Sequence, residues 1–353
     1  MTSPSCFSIR RALFVLPVLL ALFFSACSNL GPDEDFEPGE SSAIAIVSSA
    51  SGSSDSFLSE SSQSSFSGAA PGAELTISFF NVEYFGDIYY RPQAPTHAAV
   101  AEFIAANAID IIVFSEIRTA HAELLRQELA ARNVSMMYEI TEVNSPYHDI
   151  AIFSRFNITH AGPAAGAAWF EGGQLVYALA ARVDVGGEDI WFYGMHLKAN
   201  GWAHEDWERE SDIACRITQA EILQDFVRAN HNLTAENIVI CGDMNTTFTR
   251  DFEADGTLGY LTFKSDDDPS NDFTSVNALY LPMPGGYTWE WWDEVPDPDY
   301  APLSPAMLDH IILSPALFAR YVPGSVDILL KNSPPRLSDH YPIVCKIVLN
   351  GAE

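Results

Sequence analysis

The chain repeats one arrangement: a short apolar run followed directly by acidic, amide or imidazole side chains. The clearest example lies in residues 237–247, where the run 238–241 leads through Gly242 to Asp243 and Asn245. Such a run is typical of a strand buried on both faces, and Gly242 permits a sharp turn. Taken alone, Asp243 and Asn245 fit two interpretations: a site for metal-bound phosphate, or an Asx turn that begins the next segment.

Six runs of this kind occur along the chain. The polar residues that end or bracket them are Asn81 and Glu83, Glu116, His196 and Lys198, Asp243 and Asn245, Asp309, and Asp339 with His340. Each has an ordinary explanation when taken singly, such as a helix-start carboxylate for Glu116 or a core histidine for His196. Buried strand ends are unfavourable for charge unless the charges share a site, bind a metal or pair with each other. The joint occurrence therefore favours one shared site.

Strand and helix patterns alternate, which predicts a sheet sandwich covered by helices. Strands are predicted near residues 75–80, 109–114, 136–142, 149–153, 157–160, 174–185, 190–196, 238–241, 307–313 and 341–349, and helices near 95–106, 119–132 and 207–230. The chain shows no second linker after residue 74, so residues 74–353 are predicted to form one domain.

The first 73 residues have a different character. Arg10 and Arg11 precede the apolar stretch 12–24, followed by Ser25, Ala26 and Cys27. This pattern predicts a lipoprotein signal peptide over residues 1–26, with Cys27 lipidated. Phe24 stands where such signals most often have Leu, and an uncleaved anchor or a plain secretory signal remain alternatives. Residues 27–73 are Ser-rich and acidic, which is typical of a flexible tether. We therefore expect an exported protein, lipid-anchored to a bacterial outer membrane or cell surface.

The charge balance limits the partners. The sequence has 47 acidic and 18 basic residues, for a net charge of −29. Such a surface disfavours a tight, salt-sensitive grip on long polyanions. It leaves room for an enzyme that handles phosphate through a metal and a few local donors.

The cysteines give no sign of a zinc site. Apart from Cys6 and Cys27, the chain has Cys215, Cys241 and Cys345, an odd number that allows at most one disulfide within a monomer. Cys241 and Cys345 lie in apolar runs and are predicted to be packed thiols.

The chemistry that suits the six polar groups is metal-assisted phosphodiester hydrolysis. A hard cation such as Mg²⁺, with Mn²⁺ or Ca²⁺ as alternatives, takes carboxylate oxygens and neutralises phosphate charge. A histidine held by an aspartate can exchange a proton with water or a leaving group. Neither a GxSxG elbow nor a Walker A loop competes for the assignment.

Together these motifs resemble the endonuclease/exonuclease/phosphatase superfamily, which has the DNase I-like fold. The motifs are Asn81-Val82-Glu83, Ser115-Glu116, Met195-His196-Leu197-Lys198, Gly242-Asp243-Met244-Asn245, Leu308-Asp309-His310 and Ser338-Asp339-His340. The resemblance covers residues 74–349 and implies a four-layer α/β/β/α sandwich of two mixed β-sheets flanked by helices.

The resemblance also implies roles. Glu116 is the expected principal metal ligand, with Asn81, Glu83 and Asp339 in support. His340 is the expected acid or base, oriented by Asp309. Asp243 and Asn245 would position metal, water and phosphate, and His196 would contact phosphate or act as a second acid. Substrate contacts are expected from Lys198 and Arg216, although Arg216 is equally suited to an ion pair. Asp149 is expected to partner His196, with a solvated strand-edge aspartate as the alternative.

His196 separates the chain from the apurinic-site repair branch and groups it with DNase I-like nucleases, sphingomyelinases and inositol-phosphate phosphatases. The leading expectation is a monomeric, membrane-anchored endonuclease that cleaves DNA or RNA. The alternatives are a phospholipid or inositol phosphate phosphoesterase, for which Trp289, Trp291 and Trp292 would dip into a membrane, and a non-catalytic binding protein.

Overall fold

The structure is a computed structural model that describes residues 72–85, 97–141, 149–164, 178–199, 206–246, 256–279, 286–288, 306–330 and 337–350. All of these belong to one compact unit, Ser67–Glu353. The predicted signal peptide, Cys27 and Trp289, Trp291 and Trp292 lie outside the described residues, as does the tether except for residues 72 and 73. Within the described part, no helix is both long enough and apolar enough to cross a membrane.

The described residues form strands and helices in alternation. The strands are β1 Glu74–Phe85, β2 Ile111–Ile117, β3 Met137–Thr141, β4 Ile150–Ser154, β5 Asn157–Pro163, β6 Ala178–Val185, β7 Glu188–His196, β8 Asn237–Asp243, β9 Thr274–Ser275, β10 Asp309–Leu313, β11 Asp327–Ile328 and β12 Ile343–Val348. The α-helices are α1 His97–Ala106, α2 Thr119–Ala131, α3 Asp206–Asn230, α4 Thr257–Leu261 and α5 Pro315–Phe318. The predicted elements are present within the described residues; residues 95–96, 142 and 174–177 of these predictions lie outside them. The two-residue strands β9 and β11 and the short helices α4 and α5 were not predicted, because elements so short leave no periodic pattern.

The strands form two six-stranded mixed sheets. The first has the order β11-β12-β1-β2-β4-β3, and the second has the order β5-β6-β7-β8-β10-β9. One adjacent pair is parallel in each sheet, β1 with β2 and β7 with β8. Because the carboxyl ends of parallel neighbours meet at one edge, the segments that follow these four strands are brought together in pairs.

Three apolar clusters hold the layers together. The first lies between the two sheets and includes Ile77 and Val113 from one sheet and Val239 from the other. The second packs the first sheet against α1 and α2, and the third packs the second sheet against α3 and α4. Strands buried on both faces explain the continuous apolar runs in the sequence. The predicted four-layer α/β/β/α sandwich is confirmed.

The thiols of the core behave as predicted. Cys241 and Cys345 are buried and free, and both belong to the cluster between the sheets. Burial raises the pKa of both thiols, that of Cys345 to about 12. They are therefore neutral packing groups at physiological pH.

Gly242 permits a close approach of β8 to β7. A Cβ atom on this residue would lie 2.1 Å from the carbonyl oxygen of Met195, a backbone atom that cannot move aside. Only glycine fits directly before Asp243.

Candidate active site

The polar strand ends meet at one edge of the two facing sheets. Asn81 pairs with Ser115 between β1 and β2, and His196 pairs with Asp243 between β7 and β8. Strand β10 runs antiparallel to β8 and begins there, so that Asp309 lies opposite Asp243. The sheet topology therefore brings segments that are far apart in sequence to a common position.

The side-chain alternation of the strands directs several of these residues into the space between the sheets. Phe79, Cys241 and Ile311 contribute to the inter-sheet core. Asn81, Asp243 and Asp309 lie two residues away from them on the same strands, so they share that face. They form the outermost layer of the inter-sheet core, where apolar side chains give way to polar ones.

Three site residues break the regular backbone. Glu83, Glu116 and Asn245 have φ angles of 40°, 62° and 51°. Such angles are uncommon for residues other than glycine and cluster at functional sites. The left-handed conformation releases each of these side chains from strict alternation at the end of its strand.

Asn81 links the two sheets through its side chain. Its Nδ2 donates to Oε1 of Glu116 and to Oδ2 of Asp243, both over 3.0 Å. Its Oδ1 accepts from the backbone nitrogen of Glu83 over 2.9 Å. Asn81 therefore places two carboxylates side by side and fixes the turn that carries a third.

His340 and Asp309 form a buried pair. Nδ1 of His340 lies 2.8 Å from Oδ2 of Asp309 in a hydrogen bond. Nε2 of His340 lies 3.5 Å from Oδ2 of Asp243 and 4.0 Å from Oδ1 of Asp339. Because Asp309 engages Nδ1, Nε2 is the nitrogen that faces the other acids of the site.

The segment that carries Asp339 and His340 is fixed by its neighbours. The backbone nitrogen of Asp339 donates to Oε2 of Glu83 over 3.0 Å. The backbone nitrogen of His340 donates to Oγ of Ser338 over 3.1 Å. In this geometry Glu83 holds the backbone of Asp339 with the same carboxylate that was predicted to support the metal.

His196 faces the same group from the second sheet. Its Nε2 lies 3.7 Å from Oδ2 of Asp243 and 3.8 Å from Oε1 of Glu116. Asp243 thus has an imidazole on two sides, His196 and His340.

Burial and charge set the protonation of this group. Burial raises the pKa of Asp243 to about 7, against the opposing effect of nearby His340. Burial alone would lower the pKa of His340, but the surrounding carboxylates, first Asp309 and then Asp243, outweigh it and raise the pKa to about 10. His340 is therefore a buried cation surrounded by carboxylates.

The donor set fits a hard divalent cation. Oxygen atoms of Glu116 and Asp243 share one amide donor, and Oδ1 of Asp339 lies 4.0 Å from Nε2 of His340. Several carboxylates in a buried recess are unfavourable without a compensating positive charge, and Mg²⁺ prefers oxygen ligands of this kind. Glu116, with Asp339 close to the same group, would hold such an ion.

Asp243 also belongs to a compact trio of buried donors. One ligand atom from each of Asp243, Asp309 and His340 lies within 4.8 Å of the others. Since the hydrogen bond between Asp309 and His340 already uses Oδ2 and Nδ1, this trio suits proton transfer better than metal binding.

The remaining predicted site residues, Lys198, Arg216 and Asp149, lie in different surroundings. Lys198 follows His196, and its Nζ lies 3.7 Å from Oδ1 of Asp212. Arg216 is fully buried on α3, at 0% exposed, and its Nη1 donates to the backbone oxygen of Lys198 over 3.1 Å. This guanidinium therefore contacts the protein backbone, and a phosphate contact from Arg216 does not fit its burial. Asp149 is buried directly before β4, which excludes the solvated alternative; its partnership with His196 stays a prediction.

Several supporting residues were not predicted. Oγ1 of Thr288 accepts from the backbone nitrogens of Leu308 and Asp309, both over 3.0 Å. The backbone oxygen of Thr288 accepts from the nitrogen of Tyr341 over 2.6 Å. Thr288 therefore bonds to both segments of the Asp309–His340 pair. Its only sequence signal is its place within the aromatic stretch 287–292.

Asn277 also holds the start of β10. Its Nδ2 donates to the backbone oxygen of Asp309 over 2.7 Å, and its Oδ1 accepts from the nitrogen of Ile311 over 3.2 Å. A single amide side chain thus makes the backbone hydrogen bonds that a neighbouring strand would make. No sequence pattern predicts this contact.

Two facing mixed sheets flanked by helices, with acids and histidines gathered at one edge, define a protein of the DNase I-like fold class. Residues 79–340 match the model of the endonuclease/exonuclease/phosphatase family. The chain belongs to this family.

Solved structures of this fold resemble the chain over most of its length. An AP endonuclease from Archaeoglobus fulgidus is 16% identical with a TM-score of 0.53, over 77% of this chain and 98% of that one. A D. rerio TDP2 complexed with a single strand DNA product is 16% identical with a TM-score of 0.52, over 78% and 98%. A family protein from Bacteroides thetaiotaomicron is 15% identical with a TM-score of 0.51, over 80% and 97%. No curated protein sequence matches the chain.

Proposed function

We propose that the chain is a divalent-cation-dependent phosphodiesterase that acts as an endonuclease on DNA or RNA. One observation carries the proposal: Oδ2 of Asp243 lies within 4 Å of Nε2 of His196 and of Nε2 of His340, beside the carboxylate of Glu116. This arrangement combines oxygen ligands for a cation with one imidazole that can donate a proton, His196, and one buried imidazolium, His340.

The residues divide the work as follows. Asp243 orients the attacking water and accepts its proton, while Asn245 supports this segment by donating from Nδ2 to the backbone oxygen of Leu197 over 2.9 Å. His340 stabilises the negative charge that develops on the phosphate oxygens from Nε2, held in place by Asp309. His196 donates a proton to the leaving oxygen as its bond to phosphorus breaks. A cation held by Glu116 and Asp339 would neutralise the phosphate and the charge on the leaving oxygen.

Two structural neighbours support nucleic acid as the substrate. One is described as an AP endonuclease, and another is a TDP2 complexed with a single strand DNA product. The net charge of −29 indicates that contact with the phosphate backbone is local. We therefore expect cleavage that depends only weakly on salt.

A substrate panel tests the proposal. The purified protein and its His340→Ala variant would be incubated with DNA, RNA, sphingomyelin and inositol phosphates, each with Mg²⁺, Mn²⁺, Ca²⁺ or EDTA. We expect metal-dependent cleavage of nucleic acid by the wild type and its loss in the variant. Release of phosphocholine without cleavage of nucleic acid would instead assign a sphingomyelinase, and inactivity on every substrate would leave a binding protein.

The location of the protein is part of the proposal. We propose export and lipid attachment at Cys27, which rests on the sequence pattern of residues 1–27. Metabolic labelling with a radioactive fatty acid in a bacterial host should label the wild type and not the Cys27→Ser variant. Equal labelling of both would refute the anchor.

A further inference from the structure

The two residues after His196 have every backbone polar group engaged. The nitrogen of Leu197 donates to the oxygen of Asp243, and the oxygen of Leu197 accepts from Asn245, both over 2.9 Å. The nitrogen of Lys198 donates to Oε1 of Gln219 over 2.9 Å, and its oxygen accepts from Nη1 of Arg216 over 3.1 Å. Two of these bonds come from the end of β8, and two come from helix α3.

The two α3 residues act on one peptide segment from one face of the helix. Arg216 and Gln219 are three positions apart, a spacing that places side chains on the same face. Arg216 is 0% exposed and Gln219 is 3% exposed, so neither is available for a substrate in solvent. Asp212, four positions before Arg216, extends this face to the side chain of Lys198, whose Nζ lies 3.7 Å from its carboxylate.

We propose that Arg216 and Gln219, named here the Lys198 clamp, are positioning residues for the reaction. The clamp fixes the segment that leaves β7, so that His196 keeps its place beside Asp243, and Asn245 keeps its acceptor on Leu197. The expected effect on kcat rests on the proposed function. The fixing of the segment after β7 does not. This positioning role replaces the expected role of Arg216 in phosphate binding.

The chain offers a matched control on the same helix. Gln224 is also buried, and its Nε2 donates to the oxygen of Tyr260 and to Oγ of Ser265, both over 2.8 Å. It therefore loses comparable contacts when replaced by leucine, but it holds a region away from His196. Gln219→Leu and Gln224→Leu are the same kind of substitution, but the first removes a hydrogen bond to Lys198 and the second removes hydrogen bonds to Tyr260 and Ser265.

The kinetic test separates positioning from binding. With Mg²⁺ and a DNA substrate, Gln219→Leu should lower kcat by about 10- to 100-fold with KM changed by less than about twofold, because a small displacement of reacting groups is costly. Gln219→Glu keeps an acceptor for Lys198 and should restore most of the activity, and Gln224→Leu should retain wild-type kcat. Arg216→Lys keeps the charge but not the planar fork, and should resemble Gln219→Leu.

A second measurement does not depend on activity. Hydrogen exchange at the Lys198 amide should be faster in Gln219→Leu and unchanged in Gln224→Leu, measured under native conditions. If the wild type hydrolyses no phosphodiester, the proposed function fails, and this measurement still decides the clamp. The clamp is refuted if Gln219→Leu leaves both the exchange and kcat unchanged, or if Arg216→Lys raises KM at constant kcat.

Discussion

Asp309 and His340 are joined by a buried hydrogen bond of 2.8 Å between Oδ2 and Nδ1, although 31 residues separate them in the sequence. The bond fixes the imidazole and leaves Nε2 directed towards Asp243. Asp309→Asn would replace the acceptor with an amide and remove the negative charge that favours the charged imidazole. We expect kcat to fall by about a hundredfold to a thousandfold, the usual cost of losing one donor that stabilises charge in the transition state.

Steady-state kinetics on a phosphodiester substrate would measure this change. Asp110→Asn provides the control, because Asp110 accepts from the backbone nitrogen of Thr76 at the far end of the first sheet. This control should change stability at most. Equal kcat in Asp309→Asn and wild type would contradict the role given to the pair.

Thr288 is expected to support that pair through its hydroxyl. Thr288→Val keeps the shape but leaves the buried backbone nitrogen of Asp309 and the partly buried one of Leu308 without their acceptor. Leaving such groups unpaired costs about 1–3 kcal/mol each. We expect a lower free energy of unfolding and a lower kcat, both measured against Thr288→Ser, which keeps the acceptor. A Thr288→Val variant that matches Thr288→Ser in both would show that the bonds have no such role.

His310 should make stability depend on pH. Burial lowers its pKa from 6.5 to about 4, and its ring contacts the oxygen of Thr246 and Oγ of Ser275. Above pH 6.5 the imidazole is neutral in both states and its contribution is fully present. As the pH falls towards 4, the unfolded chain takes up a proton that the folded chain does not, so stability is lost, by about 3 kcal/mol at most.

Denaturant unfolding between pH 7.5 and pH 4 would detect this effect as a difference between wild type and His310→Asn. The variant cannot ionise at this position, so its stability should fall less steeply with acid. Parallel curves for the two proteins would exclude His310 as the source.

Glu116 is expected to dominate the metal requirement. Loss of even an outer partner of a metal ligand typically costs about 10- to 100-fold in metal affinity. Glu116→Gln should therefore raise the Mg²⁺ concentration for half-maximal activity by at least that factor. Titration of EDTA-treated protein with Mg²⁺ would measure it, with the exposed Glu102→Gln as the control. An unchanged Mg²⁺ requirement would show that Glu116 is not a ligand of the ion.

Gly242 should tolerate no side chain. The Cβ of Gly242→Ala would meet the backbone oxygen of Met195, and overpacking of this kind costs about 1–3 kcal/mol or more. Gly259→Ala in α4 meets no atom within 4 Å and should leave the free energy of unfolding unchanged or raise it by about 0.5–1 kcal/mol. Equal denaturation midpoints for the two variants would refute the close approach of β7 and β8.

Much of the fold follows from the sequence because its strands are buried on both faces. The strands Ile111–Ile117 and Asn237–Asp243 contain apolar runs, which lead to Glu116 and Asp243, and the sheets then bring these two acids together. The order of strands within the sheets does not follow from these runs, since an apolar run does not specify its neighbour. The resemblance to a known family implied the two facing sheets, and the order of strands within them is seen only in the structure.

The supporting contacts of the site were beyond sequence reasoning for a different reason. Thr288 and Gln219 act through backbone atoms of segments about 20 residues away, and any sequence could supply those atoms. Arg216 illustrates the same limit, because an arginine on a helix beside a predicted site resembles a phosphate contact until its burial is known. The left-handed φ of Glu116 could not be predicted from the sequence either, because glycine and asparagine adopt this conformation more often than glutamate does.

The position of Asp243 as the last inter-sheet residue of β8 has a consequence for tolerated sequence change. Shortening β8 by one residue ahead of Asp243 would rotate this carboxylate to the side covered by α3, with every amino acid of the catalytic group still encoded. In this chain an apolar substitution at one of the apolar positions 238–241 changes only local packing, whereas a single-codon deletion takes Asp243 out of the active site.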